Sequence, residues 1–201
     1  MKFTSCIMSS VCGALFLFAG ASALGNGSNP VSGKKPNIIV FLVDDMGWQD
    51  TSLPFWSQRT HYNDTYHTPN MERLAAQGKM FTQAYACSIS SPTRVSLFTG
   101  MNAARHRVTS WTLRKNTTHE QPDSVMIYPE WNVNGICQEP GIERTTQVTT
   151  LAQVLKENGY QTIHCGKAHF GANDTPGADP LTMGFEVNIA GHAAGSPASY
   201  Y

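Results

Sequence analysis

Residues 90–94 read Ser-Ser-Pro-Thr-Arg and offer the clearest opportunity for chemistry in this chain. Pro92 fixes a backbone torsion suited to a first helical turn, so the pattern predicts a turn that delivers a hydroxyl side chain to a helix start. The helix dipole, the free backbone N–H groups and the Arg94 guanidinium would all favour negative charge at that point. We therefore expect Ser90 to be a nucleophile toward an anionic ester. An ordinary Ser/Thr-rich helix cap is the alternative.

Two adjacent carboxylates, Asp44 and Asp45, follow an apolar run at residues 37–43. Neighbouring strand residues point to opposite faces, so both can serve one site only where the strand gives way to a loop, which Gly47 makes easy. The two carboxylates repel unless a cation lies between them, and their hard oxygens suit Ca²⁺ or Mg²⁺. Such ions take roughly six oxygens, so further ligands must come from elsewhere. A solvated turn is the alternative.

A third segment with residue types that can take part in a reaction covers residues 166–171 and reads Gly-Lys-Ala-His-Phe-Gly. Lys167 and His169 alternate, so a short extended segment would place both on one side. The lysine offers a point charge to an oxyanion, and the histidine can protonate a leaving oxygen. A polar turn between glycines is the alternative. His106 could also belong to a site, but a solvated face is the favoured interpretation for it.

The elements that position these residues are typical of an α/β protein. The run at residues 37–43 lacks alternation and predicts a strand buried on both faces of a parallel sheet, where ligands bind beyond the carboxyl ends of the strands. Helices are predicted at residues 68–78 and 150–158, and a strand at residues 160–165, which together favour a parallel sheet. Residues 111–144 predict a long surface loop. The predicted inward-facing helix residues are Met71, Leu74, Ala75, Leu151, Val154 and Leu155.

Composition excludes some classes of function and indicates export. Lys plus Arg equals Asp plus Glu, at 14 each, so no global field favours nucleic acid or a membrane surface.

Residues 1–23 read as a signal peptide, with Lys2, an apolar core at 11–18 and a small-residue cleavage pattern at 21–23. The core is too short to span a bilayer, so we expect no stable membrane insertion. Residues 24–35 predict a flexible lead-in. Cleavage would leave three cysteines and room for one disulfide at most.

Four ordered motifs closely resemble the N-terminal part of the type I sulfatases, which are relatives of alkaline phosphatase. The strand ending in paired aspartates is matched at residues 36–48, and the Thr-Pro-Asn helix at residues 68–85. The signature Ser-x-Pro-x-Arg followed by Thr-Gly is matched at residues 90–100, and the Gly-Lys-x-His element at residues 166–169. The resemblance implies an alkaline-phosphatase-like α/β fold with a largely parallel central sheet flanked by helices. Residues 36–201 would form the N-terminal part of the catalytic domain.

The resemblance also implies a chemistry. Ser90 would be converted to formylglycine by a maturation enzyme, and its hydrate would attack sulfur with Ca²⁺, or Mg²⁺, held by Asp44, Asp45 and residue 90. Arg94 and Lys167 would stabilise charge on the sulfuryl oxygens, and His169 would handle protons. The serine form resembles bacterial, periplasmic or secreted members. Residues 48–51 and 111–115 resemble sulfatases that act on sulfated polysaccharides, and a sulfated galactose-type sugar is favoured.

Length separates this chain from the family pattern. The resemblance implies a longer protein, with further metal ligands beyond Tyr201, so we expect a truncated chain with an incomplete metal site. Two other functions stay open. One is a phosphate or phosphonate ester hydrolase that uses unmodified Ser90. The other is a non-catalytic secreted glycan-binding fragment that contacts sugar through residues 111–144.

Overall fold

The structure is a computed structural model that describes residues 33–129, 131–197 and 199. The predicted signal peptide at residues 1–23, and the lead-in up to residue 32, lie outside the described residues. Two units are distinguished, Met1–Leu42 and Val43–Tyr201. Within the described ranges, no helix is long and apolar enough to cross a membrane.

Short elements joined by long irregular segments make up the described chain. The α-helices are α1 (Pro69–Gln77), α2 (Ser90–Thr99), α3 (Ala103–His106) and α4 (Leu151–Glu157), and the strands are β1 (Ile163–Cys165) and β2 (Val187–Ile189). Single 3₁₀ turns cover His61–Thr65, Pro176–Ala178 and Pro180–Met183.

The two strands confirm the predicted parallel α/β arrangement. β1 and β2 pair in parallel, with Ile163 opposite Val187 and Cys165 opposite Ile189. α4 precedes β1 as predicted, and Thr150 begins it with a capping box, because its hydroxyl accepts from the Gln153 N–H while the Gln153 side chain accepts from the Thr150 N–H. β1 is shorter than the expected residues 160–165.

The strand predicted at residues 37–43 is not formed. These residues adopt no regular structure, and Ile39 and Phe41 are 87% and 88% exposed. A strand depends on hydrogen bonds to a neighbour, and none of the described residues pairs with this run. An unbroken apolar run indicates a preference for burial, but it does not supply the partner that burial requires.

The predicted inward faces of two helices are also wrong in part. α1 begins after Thr68 as expected, but none of its residues is buried, and Leu74 is 72% exposed. In α4, Leu151 and Val154 are exposed and Ala152 is the buried residue. The start of α4 lies against Gly184, where an added Cβ would come within 2.6 Å of the Gln153 backbone nitrogen. A side chain at position 184 would therefore prevent the start of α4 from packing this closely.

The core lies where α2, α4 and the loop after β1 meet. Phe98 of α2 contacts Phe170 and Phe185 edge-on, with ring centroids 4.6 and 5.5 Å apart. The buried cluster contains Val95, Val108, Ile136, Ala152, Ala168, Phe170, Met183 and Phe185. Burial of these side chains holds α2 against the segment that follows β1, and both carry predicted site residues.

The predicted surface loop at residues 111–144 is correct for most of its length. Its described residues contain no helix or named strand, but residues 134–137 are buried, and single bridges join Gly135 to Gly171 and Ile136 to Thr146. Cys87, Cys137 and Cys165 are all free thiols, so the described residues form no disulfide.

Candidate active site

The helix start at Ser90 forms as the sequence predicts. Ile89 is extended and caps α2, and Ser90 is the first helical residue. Arg94 lies one turn later on the same face, where its Nη1 donates to the Ser90 Oγ at 2.9 Å. The Arg94 side chain is buried, so its charge acts at a fixed position close to the hydroxyl.

Asp44 bridges the two cationic side chains of this site. Arg94 Nη2 lies 2.7 Å from the Asp44 Oδ1, and Lys167 Nζ contacts the Asp44 Oδ2. Burial raises the pKa of Asp44, but the hydrogen bonds and positive charges of Lys167 and Arg94 outweigh it and hold the pKa below its usual value. Two cations against one carboxylate leave the cluster with an excess of positive charge.

Lys167 and His169 both reach the site from the loop after β1. Between and beyond them, Ala168 and Phe170 are buried in the core, so successive side chains alternate between the core and the site. His169 Nδ1 lies 3.1 Å from the Ser90 Oγ, and the His169 N–H donates to the His192 carbonyl. His169 has a left-handed backbone (φ 53°), a conformation that costs energy for a residue with a side chain and is often found at functional sites.

The protonation of His169 follows from its surroundings. Burial, and then the positive charges of Lys167 and Arg94, lower the pKa of His169 to about 4, so the ring is neutral at pH 7. Arginine can only donate, so the Ser90 oxygen accepts from Arg94 and its own proton is free to point to Nδ1 of the neutral ring. The arrangement assigns the acceptor role to His169 and the donor role to Ser90.

The second carboxylate lies outside this network. Asp45 is exposed at a left-handed backbone position (φ 55°) and makes no hydrogen bond or ion pair with another described residue. Both oxygens of Asp44 already accept from cations. In the described ranges, no group of three or more His, Cys, Asp or Glu residues could hold a metal ion. Two carboxylates and a hydroxyl are donors of the type that Ca²⁺ takes, but too few to fit a complete site.

His106 overturns the expectation of a solvated face. It is buried beneath α2, where its Nδ1 accepts from the Val108 N–H, so Nε2 carries the proton and donates to the Ser96 Oγ at 2.9 Å. Burial lowers the pKa of His106 and keeps the ring neutral. Its hydrogen bond to Ser96 supports the helix that carries Ser90 and Arg94. The flanking residues, Arg105 and Arg107, gave no indication in the sequence that His106 would be buried.

The position next to Ser90 is anchored by a contact that the sequence does not indicate. Ser91 is fully buried, and its Oγ accepts from the Thr112 N–H at 3.3 Å. This hydrogen bond attaches the start of residues 111–144 directly to the start of α2. The long loop therefore begins beside the candidate nucleophile, although twenty residues separate the two in sequence.

Comparison with known sequences identifies the family of this chain. The family model described as Sulfatase matches residues 36–199. The chain is 31% identical over 169 residues to an arylsulfatase of Klebsiella aerogenes, covering 83% of this chain and 30% of that protein. It is 33% identical over 161 residues to a sulfatase of Formosa agariphila, covering 79% and 27%.

A third relative is named for a specific sulfated sugar. The chain is 33% identical over 165 residues to an N-acetylgalactosamine-6-O-sulfatase of Bacteroides thetaiotaomicron, covering 81% of this chain and 26% of that protein. The chain spans less than a third of the length of these curated relatives.

Proposed function

Because the chain belongs to the sulfatase family, we propose that it contributes the nucleophile, and the side chains around it, to an active site that hydrolyses sulfate esters of carbohydrates. The observation that supports this most directly is the position of the Ser90 oxygen between the Arg94 guanidinium and the neutral ring of His169. The excess positive charge around Asp44 favours a singly charged sulfate ester at this point. We also propose export to the periplasm or beyond, as the signal-peptide pattern predicts.

Each side chain of the site has its own role in the proposed reaction. Arg94 and Lys167 attract the sulfuryl oxygens and stabilise the charge that develops on them. As the oxygen of residue 90 bonds to sulfur, its proton passes to the His169 Nδ1, and the bond from sulfur to the sugar oxygen breaks. The leaving oxygen takes a proton from water, and the hydroxide ion that forms is neutralised by the proton held on His169. The negative charge of the bound ester raises the pKa of His169 and so strengthens it as an acceptor.

Two additions to the chain belong to this proposal. Formylglycine formed from Ser90 by a maturation enzyme would, once hydrated, supply a second hydroxyl. Loss of the proton of that hydroxyl, as the bond from the carbon to the sulfate oxygen breaks, would release sulfate and restore the aldehyde. The ion we propose is Ca²⁺, with Mg²⁺ as the alternative, held in part by Asp44, Asp45 and residue 90. The described residues provide too few ligands for this ion, so no step of the proposed reaction depends on it.

The first experiment is peptide mass spectrometry across residue 90 on protein purified from its native host, together with assays of sulfate release. We expect the mass to fall by two hydrogen atoms, trapped by a carbonyl reagent, and a small aryl sulfate to be hydrolysed. Ser90→Ala should abolish turnover, whereas Ser88→Ala, at an exposed serine two residues earlier, should retain it. An enzyme with residue 90 modified but no sulfate release from any ester would contradict the proposal.

A phosphate or phosphonate ester hydrolase is the second candidate. The hydrogen bond from Ser90 to His169 is what an unmodified serine nucleophile requires, and this observation favours it. Unmodified residue 90 together with release of phosphate from an aryl phosphate, abolished by Ser90→Ala, would support this activity over sulfate ester hydrolysis.

A further inference from the structure

A pocket with three aromatic side chains is formed by residues between 107 and 133. Trp111, Tyr128 and Trp131 line it, together with polar groups from Arg107, Glu120 and Asn132. The two tryptophans are 52% and 43% exposed, so large apolar faces are available to a ligand within a concave surface. Polar side chains lie between these aromatic faces, and such a mixed lining suits a ligand that has both apolar and hydroxyl surfaces.

The pocket is firmly attached to the site. Trp111 precedes Thr112, whose N–H donates to the Oγ of Ser91, the neighbour of the candidate nucleophile. On the pocket side, the His119 ring lies 6.2 Å from the Trp111 ring. The Thr112 hydrogen bond therefore holds the Trp111 side of the pocket close to the start of α2, which carries Ser90.

The opposite wall is held in place by Asn132. Its N–H donates to the Arg107 carbonyl at 3.0 Å, and its Nδ2 donates to the carbonyl of buried His106 at 2.8 Å and to the Thr146 hydroxyl at 3.0 Å. These bonds fix the backbone next to Trp131. An aromatic side chain on an anchored backbone is suited to binding, since little conformational freedom remains to be lost.

The charged and aromatic side chains that line the pocket indicate which class of ligand it suits. Arg107 and Glu120 carry opposite charges, so the pocket does not favour a further sulfate group. Aromatic faces bind apolar surface, and the polar side chains supply donors and acceptors for hydroxyl groups. A pyranose ring offers an apolar C–H face and a rim of hydroxyls. We propose that this pocket binds an uncharged sugar ring of the substrate, next to the sulfated position; the proposal rests on the sulfatase function above.

The test measures sugar binding and turnover separately. A desulfated galactose-based tetrasaccharide is titrated into the protein while tryptophan fluorescence is recorded. We expect saturable binding that weakens about tenfold in Trp131→Ala, as for a central aromatic contact, and less in Trp131→Phe. Trp56→Ala is the matched control, because Trp56 is exposed but does not line the pocket. Unfolding curves check that each variant is folded.

Turnover distinguishes the two proposals. For each protein, kcat/KM for the sulfated tetrasaccharide is divided by kcat/KM for a small aryl sulfate. In Trp131→Ala this ratio should fall about tenfold, because only the tetrasaccharide reaches the pocket. Unchanged sugar affinity in folded Trp131→Ala, or no binding to the parent protein, would overturn the pocket assignment even if sulfate is released. Sugar binding that depends on Trp131, with no ester hydrolysed, would support the pocket and contradict the sulfatase function.

Discussion

Replacing His169 by asparagine should reduce the sensitivity of this fold to acid. Asparagine tolerates the left-handed backbone at this position and can place a polar atom close to where Nδ1 lies, but it does not titrate. The parent histidine has a pKa of about 4 in the folded chain and about 6.5 when unfolded. The unfolded chain therefore binds this proton at a higher pH than the folded chain does.

The direction and size of the effect follow from that difference. Between pH 6.5 and 4 the unfolded chain holds more protons, so the free energy of unfolding falls as the pH falls, and His169 contributes nothing to the slope above this window. A pKa difference of about 2.5 corresponds to at most about 3 kcal/mol. Asp44, whose pKa is lowered, loses its stabilising effect only below its usual value of 3.8, outside the window.

The assay is urea unfolding followed by circular dichroism at several pH values from 7.5 to 4. His106 and His164 also have pKa values lowered chiefly by burial, so the parent protein should lose more stability than His169 alone explains. The difference between parent and His169→Asn isolates the share of His169. His67→Asn, at an exposed histidine, is the control and should follow the parent. Parallel curves for parent and His169→Asn from pH 6.5 to 4 would refute the reasoning.

Two further substitutions test the site and its support. Arg94→Lys keeps the charge but cannot contact both Asp44 and Ser90 in the same way, so kcat/KM for an aryl sulfate should fall about 100-fold in variant protein shown to be folded by circular dichroism. Retained activity would argue against the bridging role. Gly177→Ala places a Cβ 2.0 Å from the Ile136 carbonyl oxygen, so the free energy of unfolding should fall by about 3 kcal/mol, and an unchanged midpoint would contradict that close approach.

The sequence indicates the local elements of the site well. Pro92 and the apolar residues of α2 predict a helix start at Ser90, and the alternation at residues 167–170 predicts that Lys167 and His169 lie together. These features depend on torsions and periodicities within a few residues. Their roles in catalysis remain proposals, as does the metal site.

Longer-range features were not predictable from the pattern. The pairing of Asp44 with Lys167 joins residues 123 positions apart, and the burial of His106 depends on Ser96 and Val108. The run at residues 37–43 has the composition of a buried strand, yet it lacks a partner among the described residues. Propensity and hydrophobicity describe what a segment prefers, whereas pairing and burial depend on what lies opposite it.

The alternation after β1 has a consequence for engineering this protein. Ala168 and Phe170 fill the core through the same four residues that deliver Lys167 and His169 to the site. A large-to-small change at Phe170 would shift its neighbours, so a mutational scan scored by activity alone would class it with the chemical residues. Changes in sugar preference are better sought at Trp111, Tyr128 and Trp131, whose exposed side chains can be replaced without disturbing the packing beneath His169.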